Sequence, residues 1–179
     1  MAINRRYQPE DAIAVEALMV SAFTDSENAE EGAEVGRLAS DMMRDADSDD
    51  IEGFVAELDG EIVGAIFFSR MWFQSALKVF ILSPVAVATA QQGRGIGQAL
   101  ITYGLQVMKS RQVDYAMTYG DPGYYGQVGF EPVSTEDIPP PFTLSQPHGW
   151  LGQSLGAQAV VTLEGPCTCV KALDEQAYW

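Results

Sequence analysis

The sequence predicts an α/β (α+β) fold in which helices flank a mixed, mostly antiparallel sheet, and three features carry that prediction. Two β-rich runs, Phe54 to Leu58 and Glu61 to Arg70, are separated only by Asp59-Gly60, a two-residue hairpin signal because both central positions of a type I′ turn need positive φ. A strand over Val79 to Val87 passes through a glycine-rich loop into a helical pattern and then into a second strand, Asp114 to Thr118, which makes a β-loop-α-β unit. Two helical segments precede all of these. At 179 residues and 47% apolar composition, the chain is long enough to bury one core, so one domain over residues 1–179 is expected.

In order along the chain, Ile3 to Tyr7 can start a strand, and Pro9-Glu10-Asp11 opens a helix with proline's fixed φ and two carboxylates near the positive end of the macrodipole. Its expected buried stripe is Ile13, Ala14, Ala17, Leu18, Val20 and Ser21. A second helix is expected over residues 30–44, with an acidic exit loop over residues 45–50. After the hairpin, Val79 to Val87 contains Pro84, which cannot donate to a ladder and so marks a bulge or an opening in the sheet. Ile96, Ala99, Leu100, Tyr103, Val107 and Met108 recur at helical spacing. A short turn or helix is expected around Pro122 to Gln127 and a strand from about Phe130. A proline-rich crossing at Pro139 to Pro141 then leads to strands over residues 157–163 and 167–170.

Composition excludes several functions. Ten basic against 25 acidic residues give a net charge of −15, which offers no electrostatic footprint for nucleic acid or anionic lipid. No run approaches the roughly 18 apolar residues a membrane helix needs, and no signal-peptide core follows Arg5-Arg6, so a cytoplasmic protein is expected. Cys167 and Cys169 suit neither a disulfide framework nor a four-ligand zinc site, and read as reduced structural thiols with no metal. The acid is uneven: residues 25–52 hold eleven of the 25 carboxylates, which form either a solvated helix with acidic ends or a negative rim that attracts a cationic amine.

The stretch from Val85 to Gly97 is where the sequence speaks of chemistry. Glycines let successive backbone N–H groups approach a phosphate, and the helix N-terminus adds unsatisfied donors and partial positive charge, so a pyrophosphate is the natural guest. A Walker loop would need Lys-Ser or Lys-Thr after Gly97, where Gln98-Ala99 stands. A dinucleotide fingerprint would need a small residue in place of Leu100 and an acid closing the next strand, whereas Asp114 opens it.

Gln92-x-x-Gly95-x-Gly97 after an apolar strand resembles the acyl-CoA pyrophosphate loop of the GNAT superfamily of N-acetyltransferases. Downstream, Tyr125-x-x-x-Gly129-Phe130 resembles the second hallmark of that superfamily, and Gly120-Asp121-Pro122-Gly123-Tyr124-Tyr125 is similar to one uncharacterised bacterial subgroup. The likeness covers about Ile3 to Pro132, leaving residues 133–179 as variable C-terminal strands. It implies a splayed parallel strand pair into which acetyl-CoA enters as acyl donor, with Val85, Ala86 and Val87 pairing their backbone with the pantetheine. It also implies that Gln92, Gly93, Arg94, Gly95, Ile96 and Gly97 hold the pyrophosphate and that Tyr125 is the acid for the leaving thiolate. The implied activity is acetyl transfer to a primary amine, on a small molecule or a peptide, by direct attack.

The general base is not legible. The strand glutamate that many relatives use is missing from Val79 to Val87, where Ser83 is the only side chain able to relay a proton. Glu57 and Asp59 could act through water or simply be exposed hairpin residues, and His148 reads equally as an exposed loop residue or an acceptor-site group. Trp72, Phe73 and Trp150 are candidates for an acceptor pocket or for the core. Two other readings stay open: a non-catalytic acyl-CoA sensor or regulatory module, and a nucleotide-binding interaction domain. The sequence also leaves the assembly, monomer or homodimer, undetermined.

Overall fold

A computed structural model describes residues 1–46, 48–159 and 162–179. The strands are β1 (Ile3–Arg6), β2 (Ile51–Leu58), β3 (Glu61–Trp72), β4 (Val79–Val87), β5 (Tyr115–Tyr119), β6 (Glu131–Pro132), β7 (Trp150–Ser154) and β8 (Thr168–Cys169). The helices are α1 (Ala12–Ser26), α2 (Ala29–Arg44), α3 (Ile96–Ser110) and the one-turn α4 (Pro122–Tyr125). The strands form one sheet in the order β1-β2-β3-β4-β5-β7-β6, with β8 on β3. Among the described residues the β4–β5 pair is parallel, and β1–β2, β3–β8, β5–β7 and β6–β7 are antiparallel. The mixed, mostly antiparallel sheet is therefore present. No helix is long and apolar enough to cross a membrane among the described residues.

The chain packs as two compact units, residues 1–68 with 84–104, and residues 69–83 with 105–179. In the first, β1 runs antiparallel to β2 from Ile3↔Glu57 to Arg6↔Phe54, and the β2–β3 turn places Asp59 and Gly60 at φ 53° and 85°, as its sequence requires. Phe54 anchors the core through edge-on contacts with Phe68 and Tyr103. Helix α1 buries Val15, Leu18, Met19 and Ala22, while Ile13, Ala14, Ala17 and Ser21 are exposed and Val20 is half-buried. The expected stripe was thus rotated. Apolar residues surround α1 almost completely, so periodicity could not choose a face. Asn28 caps α2 by accepting the Glu30 and Glu31 N–H groups at 3.0 Å.

In the second unit β5 lies between β4 and β7. Its register with β7 runs from Tyr115↔Ser154 to Tyr119↔Trp150. Strand β7 occupies a stretch where no strand was expected. Trp150 opens it fully buried, with its indole N–H on the Ile138 carbonyl at 2.8 Å, so this tryptophan belongs to the core. Gly152 faces the Tyr115 ring where a Cβ would overlap it, a tertiary reason for a glycine that local β propensity scores against. The strand expected over residues 157–163 is not formed by its described residues, and Val160 and Val161 lie outside them. Cys167 and Cys169 are free, and burial pushes their thiols up to about 12 and about 11, which keeps both protonated and inert at neutral pH.

Candidate active site

The glycine-rich loop belongs to the first unit. Gln92, Gly93, Arg94 and Gly95 are exposed, Ile96 is half-buried and Gly97 is buried as the chain enters α3. Gly93 and Gly95 sit at φ 73° and 78°, a conformation that costs any residue with a Cβ, and no atom lies within 4 Å of where either Cβ would be. Steric crowding therefore does not explain these glycines; the backbone path does. The Gln92 side chain closes the loop by donating to the Val87 carbonyl at 3.0 Å, and Arg94 donates to the Gln91 side-chain oxygen at 2.6 Å. The Ala99 N–H donates to the Gly95 carbonyl at 3.0 Å, so the N–H groups of the first helical turn are the ones left without intrahelical acceptors. Upstream, Val85 and Val87 are half-buried and Ala86 is buried.

The strand before this loop runs on past its parallel partner. Parallel pairing of β4 with β5 runs from Val79↔Tyr115 to Leu82↔Thr118, yet β4 continues to Val87. Pro84, just beyond the last pair, has no N–H to extend the ladder. Thr118 Oγ1 donates to the Leu82 carbonyl at 2.9 Å, closing the final rung from the side. Thr118 is fully buried and also bonds the Tyr125 side chain. Since its single proton goes to Leu82, its oxygen accepts and the Tyr125 O–H donates. The sequence reading missed Thr118; its one signal is a hydroxyl at an inward position of an apolar strand.

Tyr125 closes α4, whose start is capped by Asp121 Oδ1 accepting the Gly123 N–H at 2.8 Å. Its ring meets Tyr124 and Phe130 edge-on. Although part of the side chain is exposed, packing around the hydroxyl, and then neighbouring Tyr124, hold its pKa well above the ordinary phenol range, so it stays protonated throughout the neutral range. Of the other candidates, Glu57 is engaged by Arg5 at 3.0 Å, Asp59 sits exposed in the hairpin turn, and Ser83 is half-buried on β4. Trp72 and Phe73 are partly exposed, and His148 is exposed on a single 3₁₀ turn, Pro147–Gly149. Among the described residues no group of three or more His, Cys, Asp or Glu could hold a metal ion.

A strand that runs on past the end of its parallel partner, and a positive-φ glycine loop leading from it into a helix, are features that suit a phosphate-bearing ligand. The sequence matches the Acetyltransferase (GNAT) family profile over residues 14–129. It is 30% identical over 138 residues to the Uncharacterized N-acetyltransferase YjhQ of Escherichia coli (strain K12), covering 74% of this chain and 76% of that protein. A GNAT family N-acetyltransferase (YhbS) from Escherichia coli, solved with CoA, superposes with a TM-score of 0.82 at 24% identity, over 97% of this chain and 92% of that one. A GNAT family acetyltransferase from Brucella melitensis, solved with acetyl-CoA, gives 0.73 at 28% identity over 97% and 99%. The chain belongs to the GNAT acetyltransferase family.

Proposed function

We propose that residues 1–179 work as one N-acetyltransferase domain that takes acetyl-CoA as donor and passes the acetyl group to a primary amine by direct attack. The observation that supports this reading best is the Gln92–Gly97 segment, exposed from Gln92 to Gly95, with Gly93 and Gly95 at positive φ, entering α3 soon after a strand that outruns its parallel partner. The similar Brucella melitensis protein was solved with acetyl-CoA, which supports the choice of donor. In this reading Gln92, Gly93, Arg94, Gly95, Ile96 and Gly97 hold the pyrophosphate by backbone N–H groups and helix dipole. The backbone of Val85, Ala86 and Val87, beyond the last pair with β5, aligns the pantetheine.

The amine must attack as a neutral nucleophile, and the thiolate must be protonated as it leaves. Tyr125, kept protonated by its surroundings, supplies that proton. The free cysteines suit a reducing compartment, in keeping with action in the cytoplasm. A similar fold in an aminoglycoside 6'-N-acetyltransferase complexed with coenzyme A makes cationic small molecules a reasonable first acceptor class to screen.

Calorimetry with CoA tests the loop. A Cβ at Gly95 meets no atom within 4 Å on this exposed loop, so Gly95→Val should leave the fold largely intact, while backbone strain and the added methyls should weaken CoA by tenfold or more. Unchanged affinity in a folded variant would remove the pyrophosphate assignment.

A further inference from the structure

The second unit contains a cavity of about 470 Å³ lined by Tyr119, Gly120, Asp121, Ser145, Gln146 and His148, among others. Its walls are pinned by the Gly120 N–H on the Gly149 carbonyl at 2.9 Å. One side is a closed hydrogen-bond chain. The Gln146 N–H donates to the Tyr119 hydroxyl at 2.7 Å, Tyr119 to Ser145 Oγ at 3.0 Å, and Ser145 to the Trp179 carbonyl at 2.9 Å, the last bond fixing the direction of the others. Tyr119 is further held by stacking on Trp179 and by an edge contact with Trp150. Those hydroxyls are therefore structural, and the titratable side chains left in the lining are the Asp121 carboxylate, with only Oδ1 used by the cap, and the imidazole of His148.

No Lys or Arg lines this cavity, so it suits a cation and disfavours a carboxylate. Two of its lining residues also neighbour Tyr125: a Cβ on Gly120 would fall 2.7 Å from Tyr125 Cε2, and the Tyr125 N–H donates to the Asp121 carbonyl at 3.0 Å. A second cavity, of about 550 Å³ beside Glu131 and Asp137, also carries carboxylates, but the chain's one histidine is not there.

We infer that the Asp121–His148 cavity is the acceptor pocket, in which Asp121 holds the primary ammonium and His148 takes its proton. This rests on the proposed acetyltransferase reading and supplies the base that β4 lacks. The ammonium gives one proton to His148, which passes it to solvent. The neutral nitrogen then attacks the thioester carbon, the new C–N bond forms and the C–S bond breaks. The nitrogen loses its second proton, and the sulfur gains one through Tyr125, so one proton is released per turnover.

Because His148 is the only histidine, its imidazole signals in a proton NMR spectrum are unambiguous. With the CoA-bound protein at fixed pH, n-propylammonium, 1,4-diaminobutane and glucosamine are titrated in. At least one should shift these signals saturably. Asp121→Asn keeps the cap oxygen but removes the charge, and should weaken that binding at least tenfold with acetyl-CoA affinity unchanged. Signals that none of the amines moves, or equal amine affinity in the variant, overturn the pocket. For any amine the wild type acetylates, His148→Gln should lower kcat roughly 10²-fold or more when the amine is an ammonium at assay pH, and much less for a weakly basic arylamine that arrives neutral. Equal losses for both, or none, overturn the role of His148. Failure to bind acetyl-CoA at all would instead remove the underlying reading.

Discussion

In the proposed mechanism Tyr125 reaches the leaving thiolate by releasing Thr118, because its O–H is donated to a threonine whose own proton is on the Leu82 carbonyl. In the proposed mechanism Tyr125→Phe keeps the ring contacts with Tyr124 and Phe130, so acetyl-CoA affinity should be retained while kcat falls roughly 10² to 10⁴-fold. Tyr124→Phe should stay within a few-fold of wild type. Pre-steady-state thiol release is the measurement, and an unchanged chemical step in the Tyr125 variant would leave that tyrosine a packing residue. Tyr125 could be nominated from the sequence because Tyr125-x-x-x-Gly129-Phe130 is local. Thr118 could not, since its importance comes from two partners 36 and seven positions away that only the folded chain brings to it.

At the level of elements, local chemistry predicted well wherever a turn or a cap was decisive and poorly wherever a partner was. The Asp59-Gly60 hairpin, β4 and the starts of α2 and α3 follow from residues near their own ends. The buried face of α1 and the whole of β7 depend on what packs against them, which the sequence does not state. The entry to α1 offers a quantitative test. Asp11, nearly buried, accepts from Arg5 at 2.7 and 2.9 Å and from the Gln8 N–H at 2.8 Å, and Arg5 also reaches Glu57, tying β1, β2 and the helix start together. The Arg5 guanidinium is the main reason the Asp11 carboxyl sits below its usual value. Its contribution is therefore fully present above the unfolded carboxyl value of ~3.9 and is lost as pH falls through the lower folded one. Asp11→Asn should cost about 1–3 kcal/mol at pH 7, with the gap to wild type closing in strong acid. Urea melts across pH would show it, and a pH-independent difference would mean that shape rather than charge matters there.

For the molecule as a whole, the net charge of −15 is a field as well as a composition. The structure shows that residues 25–52 are not a uniform rim. Asp41 pairs with Arg44, Glu52 with Arg6, and Asp25 accepts the Thr89 hydroxyl at 2.6 Å, while Glu27, Glu30, Glu31 and Asp45 are exposed. Pairing removes part of the local field, but the exposed carboxylates and the large overall excess still attract cations at distances where individual contacts do not act. If the acceptor is a cationic amine, kcat/KM should be high in dilute salt and fall by roughly tenfold as added NaCl shortens the screening length from about 10 Å near 0.1 M to about 3 Å at 1 M. A neutral acceptor measured in parallel should change little, and kcat at saturating acceptor should be nearly flat for both, because screening acts on encounter rather than on the bound complex. Glu27→Gln combined with Asp45→Asn should lower the dilute-salt value and flatten the slope while leaving the Asp121–His148 cavity untouched. Equal salt slopes for cationic and neutral acceptors would reduce the acidic surface to a source of solubility and leave discrimination among amines entirely to contacts within the pocket.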